Sequence, residues 1–142
     1  MKISDKFHLE NIYKLKNTVI TGKTEDIKWR INQINKISKL LEENKKEIIQ
    51  SLFIDLGKSE IEGLSEILLV KEEISLVKKK LNSWMRPKKI NTPFYLFPSS
   101  SRVIHEPLGC VLILGPYNYP LLYVLKPLVN ICLLYTSPSP RD

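Results

Sequence analysis

The residues best placed to do chemistry lie late in the chain, in the stretch "VLILGPYNYP" from Val111 to Pro120. An unbroken apolar run ends there at Gly115-Pro116, and Asn118 follows between Tyr117 and Tyr119, just ahead of Pro120. A strand that closes in a glycine turn before a helix start is the place where open α/β sheets bind ligands. Gly115 would let a ligand approach the backbone, Pro116 would stiffen the turn, and the Asn118 carboxamide would offer an N–H donor to a developing oxyanion. The same residue also suits plain structural work, because Asn is a favoured helix cap and a proline fits a helix's first turn. On local pattern alone the cap has the better claim.

Other reactive side chains have weaker settings. Cys110 and Cys132 sit inside apolar stretches, with neither metal-ligand nor disulfide-framework spacing, which reads as buried thiols in a reducing compartment. His8 and His105 have no partners that suggest a metal or a triad, so no metal site is expected. Glu106 belongs to a Glu-Pro-Leu-Gly turn, and Lys126 precedes Pro127 within a helical pattern. Neither is assigned a catalytic role.

The elements that must position Asn118 follow from the periodicity upstream. Asp5 is a candidate cap for a first helix with Ile12, Leu15 and Val19 on one face and Gly22 as its stop. From Thr24 a second pattern runs through Ile27, Ile31, Ile34, Ile37 and Leu41, with a break near Asn44 before Ile48, Leu52 and Phe53. "DLGKS", Asp55 to Ser59, is a turn in which Gly57 takes a left-handed conformation and Ser59 caps the next helix, Glu60 to about Met85. Pro87 ends the helical part, and the proline-punctuated residues 87–100 suit an extended linker.

Beyond the linker the period changes. Arg102 to Glu106 and Cys110 to Leu114 read as two β-runs around a Pro107-Leu108-Gly109 turn. The second run is apolar at every position, the pattern of a strand covered on both sheet faces. Leu121 to Val129 then continue as a helix behind it, which Pro127 would kink or interrupt. The "LLYTSPSPRD" ending is irregular, so the sheet lacks the partners that would complete it and the chain reads as cut short.

Composition agrees with a globular chain of one-domain size, since 142 residues at 43% hydrophobic and 26% charged can bury a core. The net charge of +7 comes from lysines spread among glutamates along helical patterns, which describes a solvated face and gives no reason to expect nucleic acid. The first residues lack the apolar core of a secretory signal. The apolar stretch Tyr119 to Tyr135 is interrupted by Lys126, Pro127 and Asn130, too broken for a membrane span. A cytoplasmic location is therefore expected.

Glu106 to Val129, "EPLGCVLILGPYNYPLLYVLKPLV", resembles the aldehyde dehydrogenase superfamily, which carries a Glu-Pro-Leu-Gly turn, an apolar strand and an aromatic-Asn-aromatic-Pro motif. Leu40 to Pro93 is similar to the helical N-terminal part of the class 3, fatty-aldehyde-dehydrogenase-like branch. Together these cover nearly everything from Thr24 to Asn130, in order and spacing. The resemblance implies an α/β fold made of the N-terminal long helices (1–86), the linker (87–100), and a hairpin-like pair with the first βα unit of a Rossmann-like NAD(P)-binding domain (101–131), truncated. It also implies oxidation of an aldehyde to a carboxylate through a cysteine thiohemiacetal, with NAD or NADP as cofactor and a homodimeric parent.

Under that resemblance Asn118 is the oxyanion asparagine, and Leu114, Gly115, Pro116 and Tyr117 match the strand end that lines the nicotinamide-ribose region. Tyr117 stands where many members have Trp. The family's nucleophilic cysteine and general-base glutamate lie downstream of the matched residues, so residues 1–142 are expected to be inactive by themselves. Residues 132–142 resemble sequence translated past a break and are read as a non-native tail. The competing reading is a basic helical interaction module without catalysis, in which long helices dock a partner.

Overall fold

A computed structural model describes the backbone of residues 4–104 and 109–131, and side chains from Glu10 onward. The expectations placed on the His8 side chain, His105, Glu106, the Pro107-Leu108 turn, Cys132 and the 132–142 tail lie outside the described residues. Five α-helices, two short 3-10 turns (Lys23–Glu25 and Phe94–Leu96) and one small sheet are the elements of the described part: α1 (Ser4–Ile20), α2 (Ile27–Glu43), α3 (Lys45–Leu56), α4 (Glu60–Trp84), β1 (Lys88–Ile90), β2 (Ser101–Val103) and α5 (Pro120–Ile131). The architecture is mixed helix and sheet, in keeping with an α/β fold.

Each helix boundary has a local cause. α2 begins after Asp26, whose carboxylate accepts the N–H groups of Lys28 at 3.0 Å and Trp29 at 3.3 Å. That places the start after Asp26 instead of at Thr24, because Asp26 supplies the acceptor for the first-turn N–H groups. Thr24 sits in a short 3-10 turn, and its carbonyl accepts from Arg30 Nε. α1 likewise begins at Ser4, with Asp5 inside its first turn. α2 and α3 part at Asn44, whose backbone N–H and Nδ2 both return to the Leu40 carbonyl, as the break in the stripe predicts. At the end of α3, Gly57 adopts φ 68°, and its N–H together with that of Lys58 closes on the Phe53 and Leu52 carbonyls. Ser59 and Glu62 form a reciprocal capping box at the start of α4.

α4 is the central element, packed by α2, α3 and α5. Ile67, Val70, Ile74, Val77 and Leu81 recur every three or four residues along it and meet Ile34 and Leu41 of α2 and Val129 of α5 in the buried cluster. Ile61 and Leu68, which also fit a helical count, stay exposed, and Val70 takes the core position instead. α1 meets the rest chiefly at the turn Lys23–Glu25 and leaves Ile12, Leu15 and Ile20 exposed.

The sheet differs from the sequence expectation. β1 and β2 pair antiparallel, with Lys88 opposite Val103, Lys89 opposite Arg102 and Ile90 opposite Ser101. The supposed linker thus contributes a strand, and the connection between the strands is held by Ser101 N–H donating to Thr92 Oγ1 at 2.8 Å. The Cys110–Leu114 run belongs to no ladder. A run apolar at every position is stable as a strand only with neighbours at its edges and layers on its faces, and no described strand lies beside it. Leu112 is 80% exposed as a result.

Candidate functional site

The predicted site residues form one continuous exposed ledge leading into α5. Leu114 is 86% and Tyr117 84% exposed, and Gly115, Pro116 and Asn118 are exposed with them. Gly115 is required here for a different reason from the one its sequence setting suggests. A Cβ on it would lie 2.5 Å from Val124 Cγ2, so the glycine lets the ledge fold back against the second turn of α5. Cys110, expected to be buried, is a free and exposed thiol, because the run around it has no covering layer among the described residues.

Local cap chemistry favoured Asn118 as the cap of α5, and the structure gives that task to another residue. Glu66, on α4, is fully buried, and its Oε2 accepts the Leu122 N–H at 3.0 Å. Leu122 is the third residue of α5, where backbone N–H groups have no intrahelical partner. The other carboxylate oxygen of Glu66 accepts from Lys58 Nζ. Lys58 Nζ also lies 3.8 Å from the centroid of the Tyr119 ring, a cation–π arrangement beside the residue that follows Asn118. Tyr119 in turn meets Tyr123 edge to face, with centroids 5.8 Å apart.

Glu66 and Lys58 were not among the sequence candidates. A signal existed for Glu66: counting back four from Val70 places a carboxylate on the apolar stripe of α4, and a charge there needs a partner. Lys58 had no such signal, since a lysine after a glycine turn is ordinary surface chemistry in sequence. Lys126, assigned no catalytic role from sequence, pairs with Glu73 of α4 at 3.1 Å and helps seat α5 on α4. Pro127 does not interrupt α5, which runs through it to Ile131.

Among the described residues no group of three or more His, Cys, Asp or Glu is placed to hold a metal ion, and no helix is long and apolar enough to cross a membrane. From Leu114 to Asn118 the ledge carries no Asp, Glu, His, Cys, Lys or Arg side chain. What it presents is the Tyr117 hydroxyl and the Asn118 carboxamide with its two N–H donors, flanked by apolar and aromatic surface and a helix N-terminus whose dipole favours negative charge.

An α-helical body joined to a short sheet and a Gly-Pro-Tyr-Asn-Tyr-Pro ledge defines an α/β protein with an exposed carboxamide just ahead of a helix start. The model of the aldehyde dehydrogenase family matches residues 21–134, and the chain belongs to that family, in its class 3 branch. It is 37% identical over 122 residues to the 4,4'-diaponeurosporen-aldehyde dehydrogenase of Staphylococcus aureus, covering 85% of this chain and 27% of that protein. Mouse aldehyde dehydrogenase family 3 member B3 is also 37% identical, covering 85% of this chain and 26% of the mouse protein. A solved substrate-bound state of Staphylococcus aureus AldH matches with a TM-score of 0.83 at 35% identity, over 88% of this chain and 28% of that one. The chain therefore spans about a quarter of the length of the relatives it matches. These matches favour the dehydrogenase reading over a helical interaction module.

Proposed function

We propose that this chain supplies the helical part and the oxyanion donor of an NAD(P)-dependent aldehyde dehydrogenase that oxidises an aldehyde to a carboxylate. The observation that carries the reading is the family match through residues 21–134 together with the exposure of Asn118 at the start of α5. In this reading the Asn118 Nδ2–H donates to the oxygen that becomes negative when a thiolate adds to the aldehyde carbon. A donor fixed in advance at that point stabilises the charge as it develops. The nearby N-terminus of α5 adds a partial positive charge of the same sense.

The exposed residues Leu114, Pro116 and Tyr117 fit a flat heteroaromatic ring, because they leave apolar and aromatic surface open next to the donor. They would hold the nicotinamide-ribose end of NAD or NADP, which supplies the hydride acceptor when bound. Gly115 keeps that surface close to α5. The residues assigned here belong to a Rossmann-like βα unit in this proposal, with a homodimeric, cytoplasmic parent enzyme.

In the family the nucleophilic cysteine and the glutamate base lie downstream of the matched residues. Purified residues 1–142 should therefore show no aldehyde-dependent formation of NAD(P)H, and measurable turnover would contradict the assignment of roles. Reading the gene past the Asn130 codon should recover a frame with a downstream cysteine and glutamate. In that complete enzyme Asn118→Ala should lower kcat by about 10² to 10³-fold, the usual effect of removing one oxyanion donor.

A further inference from the structure

Asn118 is exposed, and its preceding neighbour Tyr117 is 84% exposed, so the described packing gives it little support from the N-terminal side. Support comes from the other side. Tyr119 accepts the Tyr123 N–H at 3.0 Å and so opens α5, Leu122 donates to Glu66 Oε2 at 3.0 Å, and Lys58 Nζ lies between the Glu66 carboxylate and the Tyr119 ring. Glu66 is 0% exposed and the Lys58 side chain 11%, so both charges have been withdrawn from water to make these contacts.

A buried ion pair is a poor way to gain stability, because desolvation offsets much of the attraction and an apolar pair of similar volume often does as well. What the pair does supply is direction. A carboxylate that accepts from the N–H of the third residue of α5 fixes where that helix starts, and an ammonium over the Tyr119 face fixes the residue next to Asn118. We propose that Glu66 and Lys58 are positioning residues for Asn118: they cap α5 from a different helix and hold the Tyr119 ring, and so set the direction of the Asn118 donor. The proposal rests on the reading of Asn118 as the oxyanion donor. Neither residue touches the reacting atoms.

The test compares Glu66→Gln, Lys58→Met and the double variant Lys58→Met/Glu66→Leu. In residues 1–142, amide hydrogen exchange at Leu122 and the NMR signals of the Asn118 side-chain NH2 are read alongside the thermal midpoint. The double variant should keep a thermal midpoint near that of the parent while Leu122 exchanges at least about tenfold faster and the Asn118 signals broaden or shift, since an apolar pair can restore packing without a cap. Glu66→Gln retains an oxygen acceptor and should preserve Leu122 protection. In the complete dehydrogenase the double variant should lose about tenfold to a hundredfold in kcat at unchanged KM for NAD(P), the scale of a misplaced catalytic group. Lys58→Met alone serves if the double variant does not fold, and should move the Asn118 signals in the same direction.

A folded double variant with parental Leu122 exchange, parental Asn118 signals and parental kcat overturns the proposal. Asn118→Ala separates the two readings. A full rate in Asn118→Ala overturns the oxyanion assignment itself. A loss in Asn118→Ala with a full rate in the double variant overturns only the positioning role.

Discussion

Helix α4 and the run from Val111 into the ledge at Leu114–Asn118 are both rich in apolar residues, yet one is the core and the other is surface. α4 spaces its large side chains every three or four residues, so a single helix face gathers Ile67, Val70, Ile74, Val77 and Leu81 against α2 and α5. The ledge concentrates its apolar residues consecutively, and consecutive residues of an extended chain point to opposite sides. Burying both sides takes two layers and two neighbouring strands. The described residues supply only the α5 face, which explains why Leu112 and Leu114 remain open while Gly115 is pressed against Val124. Hydrophobicity alone therefore does not say what is buried; the arrangement of partners does.

This contrast can be broken experimentally, beginning at the core. Leu81→Ala removes a fully buried side chain from α4 and should destabilise the chain by about 2–5 kcal/mol in chemical denaturation. Gly115→Ala places a Cβ 2.5 Å from Val124 Cγ2 and should cost about 1–3 kcal/mol, with Gly115→Ala/Val124→Ala recovering part of the loss. If the single variant cost nothing, the close approach of the ledge to α5 would be wrong.

A smaller effect is expected at the start of α4. Ser59→Ala removes the capping hydroxyl and should cost about 1 kcal/mol. The Ser59 backbone N–H, and then its hydroxyl, holds the Glu62 carboxyl below its ordinary value of 4.5. Lys71 does the same for Glu42, first by hydrogen bond and then by charge. Both acids have lowered values in the folded state, so their contribution is present above about pH 4.5 and fades as pH falls through the lowered folded values. Glu62→Gln should flatten that part of the stability–pH curve, and an unaltered curve would argue against the capping box. Smallest of all, Leu114→Ser should change stability by no more than about 0.5 kcal/mol, because the side chain is already in water. A loss of core size there would show that the ledge is packed after all.

The helical half was well marked in sequence because its information is local. Gly57, Ser59, Asn44 and the Ile/Leu spacing act within a few residues of themselves, and the structure places the corresponding turns and helices where those residues indicate. The hairpin was missed because Lys88–Ile90 carries no strand pattern and becomes a strand only by pairing with Ser101–Val103. Of the kink or interruption expected at Pro127, the interruption did not occur, as α5 is held on both sides of it by the Lys126–Glu73 pair and buried Val129.

By itself the sequence determined the Gly57 turn, the Ser59 cap of α4 and the motif that places Asn118 before a helix, all properties of neighbouring residues. Tertiary structure decided which residue caps that helix. Glu66 is 56 positions from Leu122, and no local rule relates a carboxylate on one helix to an N–H on another. The link exists only because α4 and α5 pack together and an unpaired charge between them would be too costly to leave without partners.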